Sequence, residues 1–201
     1  MKRVLFSKIL LFLLMIPALV FAQGGMMQQE EGSMQGMGHG EMMHHGEMPP
    51  PITNAVCVLT PTEGNHVHGV VHFAQTEEGM KVTARVEGLT PGKHGFHIHQ
   101  FGDITAANGT SAGGHFNPMG HEHGGPMKEM RHPGDLGNLE ADKDGVAIYE
   151  WTDPHMMLYG PLSILGRGMV VHAGEDDLTS QPTGAAGSRV AVGVIGVAKG
   201  E

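Results

Sequence analysis

One segment of the chain begins His94-Gly-Phe-His97-Ile-His99-Gln-Phe-Gly-Asp103 and runs on to Asp135. Successive side chains of a strand point to opposite faces, so a strand here places His97 and His99 on the same side. The residues after it are rich in Gly, Pro and Asn, which predicts a long loop rather than a regular element. That loop carries four more candidate ligands: His115, His123, His132 and Asp135.

This combination of side chains is typical of a metal site. Imidazole suits copper and zinc, and three imidazoles with one carboxylate suit tetrahedral zinc. A single histidine in such a loop would more simply be a solvated residue. Five histidines and an aspartate interleaved with Gly and Pro do not fit that interpretation. We therefore predict a metal site in residues 94–135.

Composition limits the other possibilities. The 201 residues allow one domain with a sizeable core, together with segments that need not fold. Formal net charge is -9 and the basic residues do not cluster, so nucleic acid is not an expected partner. Cys57 is the only cysteine, which excludes an intramolecular disulfide.

Residues 1–22 have the three parts of a secretory signal peptide: basic residues, an apolar run and a small-residue cleavage site at Ala22. The apolar run is shorter than the roughly 20 residues that a membrane anchor needs. We expect a secreted protein without a membrane anchor after cleavage, and the bacterial periplasm as its compartment. Cleavage would remove three positive charges and change the formal net charge from -9 to -12.

Residues 23–51 mix methionine and histidine with Gly, Gln and Glu. Their apolar residues are too sparse to form a core, so we predict a disordered tail that ends at Pro49-Pro50-Pro51. Two interpretations stay open for it. It is a plain spacer, or it captures copper as a donor for the folded part, because thioethers suit Cu(I) and imidazole suits Cu(II).

From residue 52 the pattern indicates a single β domain that runs to residue 201. Short β-branched runs separated by turn residues, without an amphipathic helix, predict an antiparallel sandwich or barrel. His66, His68 and His72 share one face of the second run, which we interpret as a solvent face. The predicted strands span 55–59, 67–74, 81–87, 93–100, 146–151, 162–165, 169–172 and 189–198.

Several motifs make the domain resemble the copper,zinc superoxide dismutases. They are Gly95-Phe-His-Ile-His99, Gly114-His-Phe-Asn-Pro118, His123-Gly-Gly-Pro126, Arg131-His-Pro-Gly-Asp-Leu-Gly-Asn138, residues 166–172 and Gly187-Ser-Arg-Val-Ala-Val-Gly-Val-Ile-Gly196. The resemblance covers nearly all of residues 55–198. It implies an all-β, antiparallel Greek-key sandwich or barrel, immunoglobulin-like, with long metal-binding loops.

The resemblance also implies an oxidoreductase that converts superoxide to dioxygen and hydrogen peroxide. Copper would be bound by His97, His99, His115 and His172; zinc would be bound by His115, His123, His132 and Asp135. His115 would bridge the two metals and serve as a catalytic acid, and Arg189 would hold the superoxide anion. Asp176 would hydrogen-bond one ligand of each metal, whereas the adjacent Glu175 and Asp177 would be solvated acids.

Two further implications concern assembly and departures from the family. Residues 101–102, 164–166 and 194–197 match the segments that form the family's two-fold interface, which predicts a homodimer. The family's disulfide is missing, since Asn108-Gly109 and Val192 occupy its positions, while Cys57 matches a core position. Residues 177–183 lack the lysines that often steer superoxide. The alternative function is a non-catalytic periplasmic copper-binding or delivery protein on the same scaffold, which the Met/His tail would suit.

Overall fold

The computed structural model describes residues 51–200, and the predicted signal peptide and nearly all of the predicted tail lie outside that range. Nine strands and one short 3-10 helix, Thr110–Ala112, make up the regular structure of the described residues. The strands are β1 Asn54–Pro61, β2 His68–Thr76, β3 Gly79–Glu87, β4 Gly92–His99, β5 Asp135–Ala141, β6 Ala147–Asp153, β7 Gly168–His172, β8 Arg189–Val194 and β9 Gly196–Val197. Within residues 51–200 no helix is long and apolar enough to cross a membrane.

All strand pairings are antiparallel, and they close into a barrel. The order is β2-β3-β6-β5-β4-β7-β8-β1, and β1 pairs back with β2 to complete the ring. β9 continues β8 along the same edge of β1. The β3–β4 and β6–β7 connections each pass over two intervening strands, which is the Greek-key arrangement that the resemblance implies. The sequence left sandwich and barrel open; the structure is a barrel.

The core follows from two-residue alternation along the strands. In β1, Ala55, Cys57 and Leu59 are buried, whereas Val58 between them is 60% exposed. β4 and β7 differ, because nearly all of their residues are buried on both faces. Phe96 of β4 contributes to the barrel core on one face, so the opposite face must be covered by something other than the sheet. That cover is the long β4–β5 loop together with the residues after β7.

Three strand predictions were wrong. β5 was missed, because Gly134, Gly137 and Asn138 give its sequence the composition of a turn. Residues 162–165 form no strand and contribute only an isolated bridge between Met157 and Ser163. The predicted strand 189–198 is interrupted at Ile195, whose side chain is buried in the core.

Two smaller predictions are confirmed. His68 and His72 of β2 are exposed, as is His66 just before it, so this histidine face is a solvent face. Cys57 is buried and unpaired, and burial raises the pKa of its thiol to about 12. A buried thiol that holds its proton is an inert core residue.

Candidate metal centre

The outer face of β4 supplies the first two histidines. Side-chain alternation sends Phe96 and Ile98 to the core and leaves His97 and His99 on the other side. Both are nonetheless buried, with exposed fractions of 0% and 1%. The β4–β5 loop covers them and places His115 beside His99. Two backbone hydrogen bonds fix the loop there, from Gln100 to the Gly114 carbonyl and from Phe116 to the Ile98 carbonyl, both at 2.8 Å.

His172 at the end of β7 completes a group of four histidines. One ring nitrogen from each of them lies within 4.8 Å of those of the others: His97, His99, His115 and His172. These are the four residues that the resemblance assigns to copper.

Backbone carbonyls determine which nitrogens of this group hold protons. His99 Nδ1 donates to the Gly113 carbonyl at 2.9 Å, and His172 Nδ1 donates to the Gly187 carbonyl at 3.0 Å. A carbonyl can only accept, so both Nε2 atoms are left with lone pairs, and these two atoms lie 3.3 Å apart. Two buried lone pairs at that distance repel each other unless a cation lies between them. The pair therefore fits a metal ion.

Asp135 organises a second group, with His115, His123 and His132. Its Oδ1 lies 2.8 Å from His115 Nδ1, 3.0 Å from His123 Nδ1 and 3.2 Å from His132 Nδ1. The last two nitrogens nevertheless make no hydrogen bond, because they are close to the carboxylate without being aligned with it. Of the three rings, only that of His115 is hydrogen-bonded to the carboxylate, although the four donor atoms all lie within 4.8 Å of one another. Three imidazoles and one carboxylate are a ligand set that suits tetrahedral zinc. The prediction that Asp135 lies on the loop was wrong, because Asp135 is the first residue of β5.

His115 belongs to both groups. Its Nδ1 faces Asp135, and its Nε2 faces the other histidines, is buried and has no hydrogen-bond partner. One nitrogen in each of three further rings is also buried without a hydrogen-bond partner. Among the histidines of the described residues these atoms are His97 Nδ1, His115 Nε2, His123 Nδ1 and His132 Nδ1; outside the histidines, Trp151 Nε1 is the fifth such atom. An unsatisfied polar atom in a protein interior is costly. A metal ion in each group would satisfy all four histidine nitrogens.

Asp176 is hydrogen-bonded to one histidine of each group. Its Oδ2 accepts a hydrogen bond from His97 Nε2 at 2.8 Å, and its Oδ1 accepts one from His123 Nε2 at 2.9 Å. These bonds fix the tautomer of each ring and leave the Nδ1 lone pair facing its group. Asp176 is completely buried, at 0% exposure. The structure thus places it where the resemblance implies.

Most ionisation states suit metal binding, but His123 must lose a proton. Burial lowers the pKa of His123, whereas the charges of Asp135 and Asp176 and the hydrogen bond to Asp176 outweigh burial and raise that pKa to about 9. Burial lowers the pKa of His97 to about 3 and that of His172 to about 4, so both rings are neutral ligands at physiological pH. Burial raises the pKa values of the Asp135 and Asp176 carboxyls, but the histidines beside each carboxylate outweigh burial and hold both pKa values well below the usual range. Neutral imidazoles and ionised carboxylates are the ligand forms that metals require.

Arg189, the first residue of β8, stands beside the first group. Its guanidinium donates to the carbonyls of Gly109 and Gly113 in the β4–β5 loop. The Gly113 carbonyl also accepts from His99, so one oxygen ties the arginine to a candidate copper ligand. The side chain is only partly buried, which leaves its positive charge accessible to a small anion.

The acids flanking Asp176 are solvent-exposed, as predicted. Glu175 pairs with Lys93 at 2.9 Å on the surface. Asp177 is also exposed and accepts the backbone N–H groups of Thr179 and Ser180. Neither carboxylate faces the histidine groups.

Sequence reasoning missed two residues that support the centre. Asn138 holds Asp176 through two hydrogen bonds: its amide donates to the Asp176 carbonyl at 2.9 Å and its oxygen accepts the Asp176 N–H at 2.8 Å. Gly184 has φ +66°, and a Cβ on it would lie 1.8 Å from Asp176 Oδ1. Asn138 contacts Asp176 from β5, and Gly184 contacts it from the loop that follows Asp176; neither residue is marked by any local spacing.

A Greek-key barrel carrying two buried ligand groups that share one histidine defines a class of dinuclear metalloprotein. Comparison with known proteins agrees: the profile of the family described as copper/zinc superoxide dismutase (SODC) matches residues 67–195. Superoxide dismutase [Cu-Zn] of Onchocerca volvulus is 50% identical over 157 residues, which cover 72% of this chain and 96% of that protein. Extracellular superoxide dismutase [Cu-Zn] of Brugia pahangi is 48% identical over 153 residues, covering 71% of this chain and 75% of that protein. The chain belongs to the copper/zinc superoxide dismutase family.

Proposed function

We propose that this protein is an oxidoreductase that dismutes superoxide to dioxygen and hydrogen peroxide at a copper-zinc centre. The observation that carries the proposal is the sharing of His115 between two ligand groups with different donor sets, in a chain of this family. A group of four imidazoles suits copper, and three imidazoles with a carboxylate suit zinc.

The proposed ligands follow that division. Copper is held by His97, His99, His115 and His172; zinc is held by His115, His123, His132 and Asp135. Copper supplies the redox chemistry, since it can accept an electron from one superoxide and pass it to a second. Zinc has no redox chemistry, and its role would be to hold the His115 ring and the loop around that ring in place.

The protein's own contribution to the second half-reaction is a proton. Reduction of superoxide to peroxide consumes protons, and His115 Nε2 is a buried nitrogen with no other hydrogen-bond partner. Nε2 cannot bind copper and hold a proton at the same time, so a proton would occupy this atom only while the His115 ring is held through Nδ1, which faces Asp135. His115 is therefore proposed as both the shared ligand and the catalytic acid.

Arg189 is proposed to hold the substrate. Superoxide is a small anion, and a guanidinium fixed beside the copper ligands attracts it and orients it. Asp176 is proposed as a positioning residue, since it touches one ring of each metal group rather than the substrate.

A copper-binding or delivery role without catalysis is the second candidate, and the Met/His composition of residues 23–51 favours it. The discriminating experiment compares the mature chain with a version in which the tail methionines and histidines are replaced. Both proteins are loaded with copper and zinc, and dismutase rates are measured by pulse radiolysis. Full activity in both supports an enzyme with an accessory tail. Copper retention without activity in either supports the binding role.

Export of the protein is supported by the signal-like sequence of residues 1–22 and by the Brugia pahangi relative, whose name says that it is extracellular. The finer prediction, the bacterial periplasm, rests on the sequence alone. Amino-terminal sequencing of protein recovered outside the producing cell tests export: it should begin at Gln23.

We also propose a homodimer. Phe101 (49% exposed), Val194 (39%) and Val197 (59%) present apolar side chains on the surface, although the neighbouring Ile164 is buried in the core. The segments touch one another, because a Cβ on Gly102 would lie 2.3 Å from the Gly166 carbonyl oxygen and 3.0 Å from Val194 Cγ1. A continuous patch of small and aliphatic residues suits a closely packed two-fold contact. A sedimentation mass of one mature chain at micromolar concentration would contradict the dimer.

A further inference from the structure

The β4–β5 loop carries methionines whose exposure is unusual. Met119 is 58% exposed, Met127 82% and Met130 66%, whereas methionine is commonly a core residue. None of them contributes to the barrel core. Two of them, however, share a cavity with histidines that belong to neither ligand group.

That cavity has a volume of about 260 Å³, and its lining includes Met119, His121, Met130 and His155. Two thioethers and two imidazoles form a soft donor set. Thioether sulfur selects Cu(I) over harder divalent cations, and imidazole also accepts copper. Glu129 lines the same cavity and adds a negative charge.

His121 is held in the tautomer that a metal needs. Its Nδ1 donates to the Arg131 carbonyl at 3.1 Å, which leaves a lone pair on Nε2. The Asn117 side chain closes the turn that bears Met119 and His121. Its amide donates to the His121 carbonyl at 2.9 Å, and its oxygen accepts the His121 N–H at 3.0 Å. Two donors of the cavity therefore lie on a turn of fixed shape.

A buried ion pair anchors the other side. Arg131 donates to Asp153, and Asp153 Oδ1 accepts the backbone N–H of His155 at 2.9 Å. Arg131 also donates to the Pro126 and His132 carbonyls. The pair therefore links the end of β6, which His155 follows by two residues, to the loop that bears the methionines. Because Asp153 balances the arginine charge, the cavity does not repel a monovalent cation.

We infer that Met119, His121, Met130 and His155 form a Cu(I) site on the outside of the loop that supplies the zinc ligands. The site stands apart from the principal centre but is connected to it, since His132 Nε2 donates to the His121 carbonyl at 3.0 Å. Binding of Cu(I) at this site is independent of dismutation. It requires only that Cu(I) reaches the folded domain.

Methionine methyl NMR tests this inference residue by residue. The mature chain is labelled at the methionine methyl carbons, its principal centre is filled with Cu(I) and zinc, and further Cu(I) is added without oxygen. Met119 and Met130 should shift together and saturate together with one added Cu(I), while Met127, which is absent from the lining of this cavity, stays unmoved. Met119→Leu should shift the saturation of Met130 to at least about tenfold higher Cu(I), since even outer partners of metal ligands alter affinity by 10–100-fold.

Met127→Leu is the matched control, because it removes a thioether from the same loop and should leave the Met130 titration unchanged. Retention of zinc in each variant shows that the loop remains folded. Unmoved Met119 and Met130 signals at Cu(I) concentrations that saturate the tail methionines would overturn the inference. Equal, unsaturated drift of all three loop methionines would overturn it as well.

Discussion

At the scale of single residues, the hydrogen bond that each histidine makes away from its group decides what it can bind. His97 and His123 both donate to Asp176, so each presents its other nitrogen to a different group. One buried carboxylate therefore sets the orientation of a ligand in each proposed metal site. Asp176 acts through these rings rather than on the substrate.

Asp176→Asn should weaken the retention of both metals by about 10–100-fold. The amide carries no negative charge, and only its oxygen can accept a hydrogen bond, so it cannot accept from both rings as the two carboxylate oxygens do. Competition with a chelator at fixed pH measures this for copper and zinc separately. Asp177→Asn is the matched control, since that carboxylate is exposed and touches neither ring. Unchanged retention of both metals in the Asp176 variant would remove this residue from the centre.

Arg189→Ala should reduce the dismutase rate by about tenfold or more and flatten its dependence on ionic strength, while metal content is kept. The reason is the loss of a positive charge beside the site where the anion reacts. Arg85→Ala makes the same change in net charge from an exposed position paired with Glu87, and should leave the rate unaffected. Pulse radiolysis over a range of salt concentrations provides the measurement. Equal rates for the two variants would contradict the role of Arg189.

Sequence alone could predict part of this residue-scale picture. His97, His99 and the loop ligands lie within residues 94–135, where spacing and composition point to a metal site without further information. His172 and Asp176 come from a distant part of the chain, so only the family resemblance could place them. Asn138 and Gly184 escaped both approaches, because their roles depend on tertiary contacts with Asp176.

At the scale of elements, the β4–β5 loop is the feature that needs explanation, since no disulfide holds it. Ala112 of the loop forms a small apolar cluster with Val170 of β7 and Val192 of β8, separate from the barrel core. Gly109 is equally close, since a Cβ on it would lie 2.7 Å from Val192 Cγ1. Apolar packing thus occupies the positions of the missing crosslink.

Val192→Ala should therefore destabilise the protein by about 2 kcal/mol, the cost of a small cavity at a buried site. It should also speed proteolysis within residues 100–134. Val58→Ala is the matched control, because that valine is 60% exposed and lies outside the proposed dimer surface. Denaturant unfolding measures the free energy of both variants. Equal stability would show that the cluster does not hold the loop.

Two of the wrong strand predictions have opposite physical causes. β5 begins at the proposed ligand Asp135 and contains Gly137 at φ +74°, a conformation that marks turns in most sequences. Its pairing with β4, which includes a register shift between Gly95 and His97, overrides that local signal. Residues 162–165 have the composition of a strand but form a loop, because the apolar side chain of Ile164 packs into the core from that loop.

At the scale of the whole molecule, closure of the barrel removes free sheet edges. The two ligand groups lie outside the barrel core, where they join the β4–β5 loop to the strands. Alternation of apolar residues could predict the strand class, but not whether the sheet closes, because that depends on the pairing of β1 with both β2 and β8. Four buried histidine nitrogens have no hydrogen-bond partner, which makes the free energy of folding less favourable when no metal is bound.

Stability should accordingly depend on metal and not on thiol reductants. Metals that bind only the folded state add free energy by mass action, which for a domain of this size corresponds to a rise in Tm of about 10 °C or more. Reductant should change nothing, since the single cysteine is buried and unpaired. Melting curves for metal-loaded and metal-free protein, each with and without reductant, measure both effects. A large decrease in Tm caused by reductant while the metals stay bound would contradict this expectation.

The sharing of His115 between copper and zinc is tested most directly by EPR of Cu(II) in zinc-loaded and zinc-depleted protein. If one imidazole binds both metals, removal of zinc frees His115 Nδ1 and changes the copper spectrum. In His115→Ala the copper spectrum should become insensitive to zinc, while His123→Ala should lose zinc and keep a copper site. Identical spectra of the unaltered protein with and without zinc, at verified zinc contents, would contradict the bridge.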